Sequence, residues 1–202
     1  MEIKEFIQER GIVSLYHFTL IDNLDSILKY GLLSRDKLDE KEIMYEYNDQ
    51  QRLEERADAI CLSISFPNYK MFYKCRIERK DKKWCVIELN PSVLYKKKCL
   101  FCVTNAASKS ETNKLDEEKQ GIHALQRMFE GPLDSEIEID KKYPYNPQAE
   151  VLVVDDIEVE YIQGIYFDNK NIKPYLNMYP DFKNIIRYNH DLFKYRSDYN
   201  KW

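Results

Sequence analysis

The chain has 202 residues, 44% of them apolar and 33% charged, with a net charge of −4. That length supports one substantial core and is short for two, so residues 1–202 are expected to form a single α/β domain. The opening Met-Glu-Ile-Lys-Glu-Phe lacks the basic-then-apolar order of a secretory leader and no apolar run approaches membrane-spanning length, which predicts a cytoplasmic protein without a membrane partner.

Residues 2–10 read as a short helix stopped at Gly11, followed by a strand from Val13 to Phe18 that ends at Thr19. Ile21, Leu24, Ile27 and Leu28 have helical spacing, with Gly31 as the stop, so His17 and Thr19 stand directly before a helix start. Asn23 lies in the first turn of that helix. Residues 36–58 are highly charged and read either as a solvated helix or as a lid over a site; Arg52 and Arg56 are the arginines to watch there, although exposed arginines are usually only solubilising.

Ala59 to Ser65 is a strand, broken by Phe66-Pro67-Asn68, and Tyr69 to Arg76 follows as a turn of helix. Arg76, Arg79, Lys80, Lys82 and Lys83 then look like the tip of a hairpin whose return strand is Trp84 to Leu89. Cys99 to Val103 is another short strand, left through the small-residue turn Thr104-Asn-Ala-Ala107. Residues 115–130 have an amphipathic pattern anchored by Leu115, Ile122, Leu125, Met128 and Phe129. Residues 133–147 read as a loop, Val151 to Val154 and Ile162 to Phe167 as two neighbouring strands, and Asn171 to Asp181 as a short helix before a tyrosine-rich tail.

Charge is unevenly distributed. Lys70 to Lys114 holds twelve basic and four acidic residues, whereas residues 116–140 hold eight acids and two bases. Such segregation produces either one basic face or a set of separately solvated lysines. Five cysteines, an odd number, speak against a disulfide framework. Cys99-x-x-Cys102 lacks a second pair or histidines at ligand spacing, and residues three apart in a strand point to opposite faces, so no metal is expected. With five glycines and neither a G-x-G-x-x-G nor a G-x-x-x-x-G-K-[ST] pattern, a Rossmann or P-loop site is not expected. Glu150, at the mouth of an apolar strand, is either an ordinary strand-end glutamate or a carboxylate held in a cleft for chemistry.

Several motifs taken together resemble one family. Leu15-Tyr-His-Phe-Thr19, Ile21 to Leu28, Gly31-Leu-Leu-Ser34, Gln51-Arg-Leu53, Ser65 to Tyr73, Thr104-Asn-Ala-Ala107 and Gln148 to Val153 are similar, in that order, to segments of the DarT-type DNA ADP-ribosyltransferases. The resemblance covers about residues 13–167 and is weakest in the charged segment 36–58. It implies a mono-ADP-ribosyltransferase fold, with two packed, mainly antiparallel sheets splitting around an NAD cleft and flanked by helices. It also implies NAD as co-substrate and a base in single-stranded DNA as acceptor, with a macrodomain hydrolase as the antitoxin that reverses the mark. Position by position, Glu150 and Arg52 are implied as catalytic, with Arg56 the alternative arginine. His17, Thr19 and Asn23 are implied on the NAD side, and Met71, Tyr73 and Asn105 on the DNA side. Ser63 to Asn68 and Thr104 to Ala107 look closer to the guanine-modifying branch than to the thymine-modifying one.

The same chemistry on RNA or protein, or a non-catalytic nucleic-acid-binding domain of this fold, are the competing readings. An edge carboxylate contributes little to a core, so removal of Glu150 is expected to leave the protein folded.

Overall fold

The computed structural model describes residues 1–47, 56–132, 135 and 137–202. Within them run the strands β1 (Leu15–Leu20), β2 (Ile60–Ile64), β3 (Trp84–Leu89), β4 (Cys99–Cys102), β5 (Glu150–Val153), β6 (Ile162–Phe167) and β7 (Ile186–Tyr188). The helices are α1 (Ile3–Arg10), α2 (Leu24–Tyr30), α3 (Arg35–Glu40), α4 (Tyr69–Glu78), α5 (Val93–Lys96), α6 (Lys109–Thr112), α7 (Gly121–Arg127) and α8 (Lys173–Met178).

The strands form a mixed sheet in the order β4-β5-β2-β1-β3-β6-β7, antiparallel except for the parallel β6–β7 edge. β1 pairs with β3 along its whole length, Leu15 opposite Leu89 to Leu20 opposite Trp84. With β2 it pairs only at Leu15–Ile64 and Tyr16–Ser63. The expected split is thus a parting within one sheet rather than a gap between two separate sheets. One half is β4-β5-β2, the other β1-β3-β6-β7, and they are joined at a corner.

Three local expectations are corrected. β5 and β6 are not neighbours: β5 lies between β4 and β2, and β6 between β3 and β7. Their connection crosses the sheet instead of turning back, and Leu32 pairs with Ile157 midway, while Lys37 holds Asp156 at 2.7 Å. The basic run is not a hairpin tip, because β3 pairs with β1 and β6 and the intervening α4 takes up the chain between β2 and β3. Residues 115–130 do not form one helix. A 3₁₀ turn, Asp116–Lys119, is separated by the extended Gln120 from α7, which opens on Gly121 at φ 77°; Leu115 is left exposed while Leu125 and Met128 are buried.

The main core lies between one sheet face and α1, α2 and α7, with Leu15, Ile87, Leu89, Leu125 and Phe167 deep inside. A second cluster on the other face gathers Leu20, Phe72, Trp84, Val86, Leu192 and Phe193 beneath α4, with Phe18 stacked on Phe72 at 4.6 Å. On that face Glu88 accepts hydrogen bonds from the Ser14 hydroxyl and, at 2.6 Å, from the Tyr166 hydroxyl. Burial foremost, with the Glu88 charge alongside, pushes the Tyr16 and Tyr166 phenols up to about 12.

Gly31 ends α2 at φ 82°, and a Cβ there would sit 2.2 Å from the Ile157 carbonyl oxygen. Gly31→Ala is therefore expected to lower unfolding free energy by about 2 kcal/mol or more in urea titrations. For the two tyrosines the folded form holds the proton more tightly than the unfolded chain. Their contribution is fully present below about pH 10 and is lost as pH rises through about 12. Tyr16→Phe and Tyr166→Phe should each flatten this alkaline fall in stability, measured as urea midpoint against pH.

Candidate active site

Where β1 and β2 part, a cavity of about 370 Å³ opens, lined by His17, Thr19, Asn23, Met71, Asn105 and Glu150 among others. Residues from distant parts of the sequence thus converge on one space. His17 stands at the fork, its Nδ1 3.0 Å from the Cys61 carbonyl oxygen of β2. A carbonyl only accepts, so Nδ1 carries the proton, and in the neutral ring Nε2 is then an acceptor.

Glu150 begins β5 and is only 8% exposed. Oε2 accepts the Ala106 N–H at 2.8 Å, and Oε1 accepts Asn68 Nδ2 at 3.0 Å and, at a long 3.5 Å, Asn105 Nδ2. The Thr104–Ala107 turn wraps around it: Asn105 Oδ1 takes the Ala107 N–H at 3.0 Å, and Asn146 Nδ2 donates to Thr104 Oγ1 at 3.1 Å. Glu150 is not the half-solvated edge residue of the strand-end reading. Removing it strands buried donors, which costs about 1–3 kcal/mol, so the premise that this carboxylate contributes little is corrected.

Asn68 is the residue sequence reasoning missed. It is fully buried, donates to Glu150, caps α4 by accepting the Met71 N–H at 3.2 Å, and donates its own N–H to Ser63 Oγ at 3.0 Å. Just before it, Ser65 has φ 61° and the Phe66 N–H bonds the Ile64 carbonyl, which is a γ-turn. That tight corner ends β2 and delivers Asn68 to the carboxylate. The Asn immediately before a helical stretch was an N-cap signal available in the sequence, overlooked because Phe-Pro-Asn reads as a strand breaker.

Thr19 and Asn23 form a second cluster. Asn23 Nδ2 donates to Thr19 Oγ1 at 3.0 Å and to the Glu46 carbonyl at 2.9 Å, while Asn23 Oδ1 accepts the Glu46 N–H at 2.7 Å. The Glu46 side chain is held at the same time by Arg79 at 2.6 Å and Lys82 at 3.1 Å. Those two bases, Arg79 foremost, keep the Glu46 carboxyl below the usual range. Two members of the basic run are thus engaged by an acid beside the cavity rather than spread over an open face.

Met71 reaches the cavity from α4, but Tyr73 does not line it; it points outward, 48% exposed, against Tyr195. Arg52 lies outside the described residues. Arg56 is gripped by Asp58, at 2.7 and 2.9 Å, and by Asp116, at 2.7 and 2.9 Å, away from the cavity lining. Cys99 and Cys102 fall in different buried clusters, and burial pushes both thiols up to about 12, so the C-x-x-C diverges as its strand spacing required.

A family model described as "ssDNA thymidine ADP-ribosyltransferase, DarT" matches residues 16–191. The chain belongs to this family. Among solved structures, Thermosipho africanus DarTG in complex with ADP-ribose is similar at 20% identity and a TM-score of 0.64, over 90% of this chain. This chain spans about half (51%) of that one. Thermus sp. 2.9 DarT in complex with ADP-ribosylated ssDNA is similar at 16% identity and a TM-score of 0.58, covering 91% of this chain and 97% of that one. The same protein in complex with NAD+ gives 17% identity and 0.54, over 90% and 98%. At these identities the likeness is one of fold. No curated protein matches the chain.

Asn68→Ala removes both the helix cap and a donor to a buried carboxylate, and should cost about 2–3 kcal/mol in urea unfolding. Asn68→Ser keeps an acceptor for the Met71 N–H and should lose about half as much.

Proposed function

We propose that this protein transfers ADP-ribose from NAD to a base in single-stranded DNA, with Glu150 as the catalytic carboxylate. What carries the reading is that a buried, donor-held Glu150 and His17 border one cavity, in a chain of this family. NAD, as co-substrate, supplies an ADP-ribosyl group whose anomeric carbon gains positive charge as the nicotinamide bond breaks. The donors that fix Glu150 also keep it aimed into the cavity without reorganisation, the condition under which a carboxylate stabilises developing positive charge best. Glu150 then accepts the proton that the acceptor nitrogen loses as its bond to the sugar forms.

In this reading His17 and Thr19 hold the nicotinamide ribose and amide, with Asn23 close by keeping the Glu46 segment over the cavity. Arg52 acts near the reaction centre, an assignment supported by the motif Gln51-Arg-Leu53 alone. Asn105 and Met71 face the acceptor from the Thr104–Ala107 turn and α4. Tyr73 serves the DNA outside the cavity. The acceptor nitrogen of a paired, stacked base is buried within the duplex, which accords with a single-stranded or extruded substrate. Guanine as target is supported by the Ser63–Asn68 and Thr104–Ala107 segments, against a family description that names thymidine. A toxin role, a macrodomain hydrolase partner and a cytoplasmic setting complete the proposal. No helix among the described residues is long and apolar enough to cross a membrane.

Incubation with NAD and single-stranded oligonucleotides of varied base content, read by mass, tests this. An ADP-ribosyl adduct confined to guanine-containing strands is expected; adducts confined to thymine-containing strands would move the target to thymine. Addition to RNA or protein alone would move the acceptor, and no nicotinamide release from any mixture would leave a non-catalytic domain. Glu150→Gln should lower transfer by about 10²-fold or more, the usual scale for losing such a base.

A further inference from the structure

The tyrosine-rich tail takes no part in the site described so far, yet it is fixed in place with unusual force. Arg196 and Asp198 are both buried, at 3% and 7% exposure, and pair through two hydrogen bonds of 2.7 and 2.8 Å. Arg196 also donates to the Pro144 and Tyr145 carbonyls at 3.0 and 3.3 Å. A desolvated guanidinium with its donors engaged locks this segment against the body of the protein.

What the lock presents is aromatic. Tyr195 and Tyr199 are each 52% exposed, with ring centroids 5.0 Å apart, and Tyr195 lies 6.4 Å from the exposed Tyr73 of α4. Buried Tyr69 backs Tyr195 edge-on at 6.0 Å. Along α4, Lys70, Tyr73 and Lys74 share one exposed stripe, and Lys74 also lines the cavity. An aromatic row flanked by ammonium groups therefore runs from the cavity rim to the tail. Tyr195 and Tyr199 lie beyond the matched family span of 16–191.

We propose that Tyr73, Tyr195 and Tyr199 form a stacking ledge for the nucleotides flanking the acceptor base of a single strand, with Lys70 and Lys74 taking its phosphates. This rests on the function proposed above and extends it. Half-exposed tyrosine rings beside the lysines of α4 suit bases and phosphates, since stacking is indifferent to base identity. Among possible occupants, single-stranded DNA alone is continuous with the cavity's own substrate.

The test is binding without NAD, by fluorescence anisotropy, of labelled single-stranded DNA of about twelve and about three nucleotides, the longer spanning a full stacking track. Wild type should favour the longer strand, and Tyr195→Ala/Tyr199→Ala should weaken that longer complex by about tenfold or more, closing the gap between the two lengths. Tyr195→Phe/Tyr199→Phe, which keeps the ring faces, should stay within about twofold of wild type. Melting temperatures check folding; if the double alanine variant does not fold, Tyr199→Ala alone should still lose about fivefold. Unchanged binding by the alanine variant, or an equal loss in the phenylalanine variant, overturns the ledge. So does sedimentation showing a wild-type dimer that the alanine variant reduces to a monomer, since the face would then serve a second copy. A wild type that modifies DNA while the alanine variant binds it fully sinks only the ledge. A wild type that binds no single strand sinks the ledge and the proposed acceptor together.

Discussion

The parting of β1 from β2 is the constraint on which the site depends. Two residue pairs join the halves of the sheet, and beyond them β1 keeps its ladder to β3 and β2 its ladder to β5 while the edges that face each other part. An unpaired backbone group in a protein interior is costly, so each has to be met by something else. The His17 ring meets the Cys61 carbonyl, and the tight corner at Ser65 carries the chain away from the fork. The opening is thereby stabilised as an opening, and it does not close into a continuous sheet.

From that fork the rest of the site follows by short-range bonding. β5 lies beside β2, so its first residue, Glu150, comes to the same space as His17 on β1. Once buried there the carboxylate needs donors. They come from the turn after β4 and from the cap of α4, two elements that have other reasons to be where they are. One anion thus ties together a turn, a helix start and a strand end. Its local order is inherited from three directions, which fixes the carboxylate more closely than any one contact would.

Much of this was legible beforehand, and the parts that were not share a cause. Trp84 to Leu89 is the strand its apolar run announced, and Gly11 and Gly31 stop their helices as glycines at positive φ do. His17, Thr19, Asn23, Met71, Asn105 and Glu150 do meet at one cavity. β7, by contrast, is three residues on a parallel edge, too short for any periodicity to register. The neighbours of β5 and β6 were misjudged because adjacency in sequence says nothing of a crossover fixed by Leu32 and Ile157. The grip of Asn23 on Glu46 uses backbone atoms on one side, which every residue possesses, so no residue pattern marks it. Arg56, the alternative arginine, is held by two aspartates, one of them sixty positions away, a pairing that no local pattern marks.

The double hold on Glu46 has a consequence for how the protein responds to its medium. Its backbone is tethered by neutral amide groups of Asn23, and its side chain by the cations Arg79 and Lys82 at a water-exposed position. Dissolved electrolyte weakens only the second kind of tether, because mobile ions shield exposed charges and leave sheltered amide pairs alone. The rim of the cavity is therefore built with one fastening that tracks the salinity of the cell and one that ignores it.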